Sequence, residues 1–341
     1  MRIITFGEIL LRLNSPGYNK LFQKDYMETS FCGAEANVAV SLSVLGLDVA
    51  FVSKLPDNVI GHAALNSLRY FGVDIDNIIL GSGRMGLYYL EKGASQRASK
   101  IIYDRNYSSI ALANKDEFDW NNIFDGADWF HWSGINPALS DELANICKIA
   151  CIVAKEKGLT VSCDLNYRAK LWDEYKAQSI MKPLMKYVDV CICNEEDAEK
   201  VLGIKSLDNC VETANLSIKG YLNSSRIINK KYGCKYIATT LRKSYSASNN
   251  GWSGLLYDCK TDDIFESPQY DIQVIDRVGG GDSFAAGLIY GFVNNMDYQK
   301  IIDFATAASC LKQTMEGDFN RSTINDIETL ISQGGNGRVQ R

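Results

Sequence analysis

Histidine is nearly absent from this chain: His62 and His131 are the only two in 341 residues. Neither lies beside a serine or cysteine motif, so a hydrolase triad has little material to work with. The scarcity of imidazole and the lack of any Cys-x-x-Cys pair also weigh against a zinc site. No hydrophobic run approaches membrane-spanning length. The opening Met1-Arg2-Ile3-Ile4-Thr5-Phe6-Gly7 passes straight into a short apolar strand, without the apolar stretch of a signal peptide. The expectation is cytoplasmic. Long basic runs are missing as well, and a net charge of −5 argues against a nucleic-acid or anionic-membrane partner. The one run of three glycines, Gly279-Gly280-Gly281, is not spaced as G-x-G-x-x-G and no Gly-Lys-Ser/Thr follows it, so neither a dinucleotide fingerprint nor a P-loop fits there.

The ten cysteines are scattered through apolar elements, as in Cys191-Ile192-Cys193, and read as small buried hydrophobes; Cys147 and Cys151 share a helix face. A hydrophobic fraction of 46% is enough for one large α/β domain with an appendage. Apolar strand-like runs at 3–6, 49–52, 129–132, 160–163, 188–193 and 237–240 alternate with amphipathic helical runs at 36–45, 62–71 and 141–157. This alternation predicts a parallel sheet covered on both faces. Right-handed crossovers would gather the strand C-termini on one edge, where Asp164, Asn194 and Asp282 fall just beyond strand-like segments. Two segments interrupt the pattern, about 12–31 and about 86–105, the second reading as antiparallel strands. Residues 334–341 read as a disordered tail.

The most informative stretch is Asp276-Arg277-Val278-Gly279-Gly280-Gly281-Asp282-Ser283-Phe284, where three glycines and an aspartate run into an apolar helical segment. Glycines let backbone N–H groups converge on an anion, and a helix start adds its positive end. Asp282 would then be placed to take a proton from an attacking hydroxyl. The plainer alternative is a glycine-rich turn with Asp282 as helix N-cap.

This stretch resembles the C-terminal signature Asp-Thr-x-Gly-Ala-Gly-Asp of the ribokinase-like (PfkB) carbohydrate kinases, with Arg277 at the Thr position and Gly280 at the Ala position. The version here is most similar to that of the 2-keto-3-deoxygluconate kinases, and the resemblance runs from about residue 3 to about residue 330. It implies a three-layer α/β/α sandwich with a mainly parallel sheet, and a kinase domain over 1–333. The interrupting segments would form a small β-sheet lid used for homo-oligomer contact. It implies ATP-dependent phosphorylation at the 6-hydroxyl of 2-keto-3-deoxygluconate, with Mg²⁺ and room for a monovalent cation. Asp282 would be the base, with Gly279, Gly280 and Gly281 as the phosphoryl cradle.

Cys32-Gly33-Ala34-Glu35-Ala36-Asn37 is similar to the family's Gly-Gly-Ala-x-x-Asn element, which assigns Gly33 and Asn37 to sugar hydroxyls. An acid sugar needs its carboxylate neutralised, and guanidinium groups do this directionally. The resemblance gives Tyr88, Tyr103, Arg105 and Arg168 that neighbourhood, and brings Asp318 to the substrate. Asn194-Glu195-Glu196-Asp197 resembles the Asn-x-x-Glu element: Asn194 would face the nucleotide, and Glu196 and Asp197 would hold Mg²⁺ through water. Thr240 and Arg242 match the nucleotide loop, although Arg242-Lys243-Ser244-Tyr245-Ser246 lacks its glycines, and Thr306 matches a position near adenine. Another sugar kinase of this fold, of fructokinase or ribokinase type, is the alternative; a silent sugar-binding regulator is a more distant one, against which the retained Asp282 speaks.

Overall fold

A computed structural model describes residues 1–205 and 218–334. Fourteen strands are present among them. In chain order they are β1 (Arg2–Phe6), β2 (Leu10–Asn14), β3 (Glu28–Cys32), β4 (Asp48–Pro56), β5 (Ile78–Gly81), β6 (Gly86–Glu91), β7 (Lys100–Asp104), β8 (Trp129–Ser133), β9 (Thr160–Asp164), β10 (Val190–Cys193), β11 (Tyr236–Ser244), β12 (Asn249–Asp258), β13 (Asp263–Glu266) and β14 (Tyr270–Gln273). Ten of them make the central sheet in the order β13-β12-β11-β10-β9-β8-β1-β4-β5, with β14 pairing β12. From β5 to β11 every pairing is parallel, and the β12 pairings are antiparallel.

Side-chain alternation explains why the strands read as continuously apolar: both faces are covered. In β1, Ile4 and Phe6 join one core while Ile3 joins the other; in β10, Cys191 and Cys193 face the first and Val190 and Ile192 the second. The first core is closed by the helices Asp141–Glu156, Glu174–Leu184, Glu195–Leu202 and Ile218–Tyr232. The second is closed by Ala34–Val44, Val59–Tyr70, Gly280–Val293 and Tyr298–Gln313. This is the expected three-layer sandwich. Cys147 and Cys151 are buried in the first core, and among the described residues no disulfide and no metal-binding cluster occurs. Burial lowers the His131 pKa to about 3, and its ring bonds the Ser162 hydroxyl at 2.8 Å, a structural role.

The two interrupting segments fold together as the expected lid, a separate four-stranded sheet in the order β3-β2-β6-β7. Its central pair β2 and β6 is parallel and puts Arg12 in register with Tyr88. Gly334 has φ 63 and closes the final helix Ile324–Gln333, so it is not part of a tail. The remaining expected tail, 335–341, lies outside the described residues. Among the described residues no helix is long and apolar enough to cross a membrane.

Candidate active site

Because the parallel strands run the same way, Asp164, Asn194 and Thr240 reach one edge of the sheet, and a cleft of about 850 Å³ lies there beneath the lid. The glycine stretch forms one wall. Gly279 has φ 82, and a Cβ on it would lie 2.1 Å from the Asp318 carbonyl oxygen, so conformation and space both require glycine. The helix begins at Gly280 with Gly279 as N-cap, which makes Asp282 its third residue and removes the N-cap alternative. The first-turn amides of a helix have no intrahelical acceptor, so Gly281 and Asp282 bring free donors and the positive end of the dipole to the cleft. Gly280 departs from the expected cradle role. It is buried outside the cleft lining, its N–H turns to the Arg277 carbonyl at 3.4 Å, and its carbonyl accepts the Ser309 hydroxyl at 2.7 Å.

Asp282 is held from the opposite wall. The Asn37 amide donates to its Oδ2 at 2.6 Å, and Asn37 is itself oriented by the Gly33 N–H, which donates to Asn37 Oδ1 at 3.2 Å. Gly33 packs so closely on the backbone that a Cβ would meet the Glu8 carbonyl oxygen at 2.0 Å. Burial raises the Asp282 pKa to about 7; the Asn37 hydrogen bond opposes the rise and the Asp318 charge adds to it. A carboxylate of that basicity can accept a proton from a hydroxyl near neutral pH.

At the lid end most ionic groups arrive already paired. Arg12 is 1% exposed and donates to Asp318 Oδ1 and Asp276 Oδ2, each at 2.5 Å. The Tyr88 hydroxyl donates to Asp318 Oδ2 at 2.8 Å. Two registered lid residues therefore grip the aspartate whose backbone walls Gly279. Arg105 Nε donates to Glu8 Oε2 at 2.7 Å, and the guanidinium lies over the Tyr103 ring. Tyr88, Arg105 and Asp318 line the cleft already paired, Tyr88 with Asp318 and Arg105 with Glu8. Charges buried this deeply need counter-charges in the chain itself. Arg168 differs: its Nη1 donates to the Tyr167 carbonyl at 2.9 Å, and among the described residues no carboxylate lies at ion-pair distance from it.

Sequence reasoning missed Glu8, Arg12 and Glu35. Glu35 is 1% exposed, lines the cleft with one carboxylate oxygen unpartnered, and has its pKa raised to about 7 by burial. Leu10, Arg12 and Asn14 alternate with Leu11 and Leu13 along β2, so a strand periodicity was available, but nothing in it says which face turns inward.

At the other end, Asn194 caps the helix Glu195–Leu202 in a reciprocal pair with Asp197. Asp197 is 5% exposed and its two oxygens accept the Tyr167 and Asn194 N–H groups at 2.8 and 3.1 Å. These contacts tie it to the helix cap although it also lines the cleft, and burial raises its pKa to about 6. Glu196 is exposed and lines the cleft. Thr240 and Arg242 line it too, but from strand β11, whose residues pair regularly with β12, and not from a loop. Thr306 is a further correction. It is fully buried, and a Cβ on Gly254 would meet its hydroxyl at 2.8 Å, so it packs behind β12 and does not line the cleft.

A mainly parallel sandwich with a detached β lid, a glycine-bounded helix start and a basic carboxylate in the cleft between them define a small-molecule phosphotransferase. The chain belongs to the pfkB family of carbohydrate kinases, whose profile matches residues 2–323. A solved structure from Thermotoga maritima, a 2-dehydro-3-deoxygluconokinase, is 50% identical, with a TM-score of 0.93 over 97% of this chain and 99% of that one. The 2-dehydro-3-deoxygalactonokinase of Haloferax volcanii is 29% identical over 99% of both chains. The 2-dehydro-3-deoxygluconokinase of Bacillus subtilis is 26% identical over 93% of this chain and 91% of its own.

Proposed function

We propose that this chain, as one kinase domain over residues 1–333, transfers the γ-phosphoryl group of ATP to the 6-hydroxyl of 2-keto-3-deoxygluconate. The observation that carries the reading is the Asn37–Asp282 contact at 2.6 Å, which holds a carboxylate of pKa about 7 beside the first-turn amides of Gly281 and Asp282. Asp282 takes the proton of the attacking hydroxyl, and those amides stabilise charge on the group in transfer. Arg168, which has no carboxylate at ion-pair distance within the described residues, receives the substrate's carboxylate. The 50% identity to a protein named for this substrate supports the choice of sugar acid.

Magnesium, when bound with the nucleotide, neutralises charge on its phosphates. The residues fit such an ion: Glu196 offers an exposed carboxylate in the cleft, and magnesium needs few protein ligands because it keeps several waters. Asn194 and Thr240 line the nucleotide's path. The lid is a homo-oligomer contact in this reading, supported by Leu13, Tyr89 and Ile102, which lie in register on the face opposite Arg12 and Tyr88. The test is ADP release with 2-keto-3-deoxygluconate, its galactonate epimer, fructose and ribose. Preference for the gluconate acid is expected; preference for the epimer corrects the stereochemistry, and preference for a neutral sugar overturns the substrate class.

A further inference from the structure

Arg242 and Arg277 come from separate segments and both line the nucleotide end of the cleft. Arg277 Nη2 donates to the Ala247 carbonyl at 2.9 Å, which fixes its guanidinium against the β11–β12 hairpin that carries Arg242. The two charges are close enough to oppose each other: after burial, Arg242 is the next influence lowering the Arg277 pKa. Unlike Arg12 and Arg105, neither has a carboxylate at ion-pair distance among the described residues; nearby Asp276 is engaged by Arg12. Two guanidiniums without carboxylate partners at one end of a cleft favour an anion that both can reach.

Two further observations point to a ligand at this corner. The β11 backbone is an extended strand laddered to β12 from Tyr236 to Ser244, so its amides point alternately to opposite sides and do not converge on a phosphate as those of a glycine turn do, which leaves a part for charged side chains. Asn250, in register with Ser244, lines the same corner at 1% exposure with neither carboxamide atom partnered. Such burial is costly unless donor and acceptor are met from elsewhere.

We propose that Arg242 and Arg277 form a guanidinium clamp on the α- and β-phosphates of the nucleotide, with Asn250 hydrogen-bonding the nucleoside beside them. This rests on the nucleotide-dependent reading above. The cradle that receives the transferred phosphoryl begins at Gly279, two residues after Arg277 in the chain, so the clamp adjoins it on the side from which the polyphosphate arrives. The clamp supplies binding that persists in the product, and Asp282 supplies the chemistry.

The experiment is calorimetric titration of wild type, Arg242→Met and Arg277→Met with ADP, AMP and adenosine, without sugar. Each variant is expected to lose about tenfold or more in ADP affinity, less for AMP, and nothing for adenosine. Asn250→Ala is expected to weaken all three alike. ADP affinity within about threefold of wild type in both arginine variants, or an equal loss for adenosine, overturns the clamp. Wild type that binds no ADP overturns the nucleotide reading itself, a distinct outcome. Arg242 is exposed, so its variant reports even if loss of the Arg277–Ala247 contact prevents the other from folding.

Discussion

Replacing Arg12 by methionine tests whether the lid is built into the core of the enzyme or only rests on it. The guanidinium is 1% exposed and bonds two carboxylates, Asp276 and Asp318, each at 2.5 Å and each nearly inaccessible. Methionine replaces the aliphatic stem and none of the charge. Asp318 keeps the Tyr88 hydroxyl at 2.8 Å, and Asp276 keeps the Gly317 N–H at 3.2 Å, so the acids are not stripped of every partner. Removing one member of a buried ion pair typically costs about 3–5 kcal/mol, because the remaining charge is left uncompensated. Against a typical total of about 5–15 kcal/mol the variant should still fold but with a much lower midpoint, readable by urea titration at low temperature. The double variant Arg12→Met with Asp318→Asn removes one orphaned charge and should be more stable than the single by about 1–2 kcal/mol. A cost below about 1 kcal/mol for Arg12→Met, or a double variant whose losses simply add, would refute the buried network as an electrostatic unit.

Asp282→Asn should lower kcat by on the order of 10²-fold or more with the fold intact, and near-normal turnover would remove Asp282 from the chemistry. Because the base must be unprotonated and its pKa lies at about 7, wild-type turnover should rise with pH through that region; a flat profile between pH 6 and 8 contradicts the assignment. The same shift has a stability consequence. Folded Asp282 holds its proton up to about pH 7 and the unfolded carboxyl only to about 4, so native stability declines as pH rises between them, and Asp282→Asn should be the more stable protein at pH 8. Glu196→Ala should raise the KM for MgATP with stability unchanged, whereas Asp197→Ala should cost about 1 kcal/mol through loss of the helix cap; the reverse pattern, read by kinetics and urea melts, would assign the metal to Asp197. Arg168→Ala should depress kcat/KM for the sugar acid by about tenfold or more while sparing any slow turnover of a neutral ketose, and equal losses on both would leave the carboxylate without its partner.

The layered fold was legible because β10 is apolar throughout and β1 nearly so, a pattern that a sheet covered on both faces sustains. The glycine stretch was legible as a glycine-bounded helix start because that chemistry is local, whereas Asn37 and Arg168 were singled out only through the family resemblance of their motifs, and the structure places both in the cleft lining. What escaped was pairing across distance. Nothing in the run around Arg105 says that Glu8 neutralises it, and nothing around Asp318 says that a lid arginine and a lid tyrosine will claim it. The capping contact of Asp197 with Asn194 was equally hidden behind the motif, since an acid at the third position of a helix suits capping as well as metal binding, and Asp197 caps. Thr306 misled because motif position fixes a place along a helix and not the neighbour that Gly254 lets approach.

The hydrogen bond from Asn37 to Asp282 spans 245 positions of the chain. Chains emerge from the ribosome N-terminus first and tend to fold as they emerge. Asn37 and the lid strands, complete by Asp104, therefore emerge long before Asp282. The wall behind Gly279 comes later still, at Asp318. A chain that stops short of these residues lacks both the carboxylate and the glycine stretch that the proposed transfer needs, and its lid arginine lacks Asp276 and Asp318. Catalytic competence in this chain thus reports that synthesis has passed nearly its whole length and that its two ends have found each other.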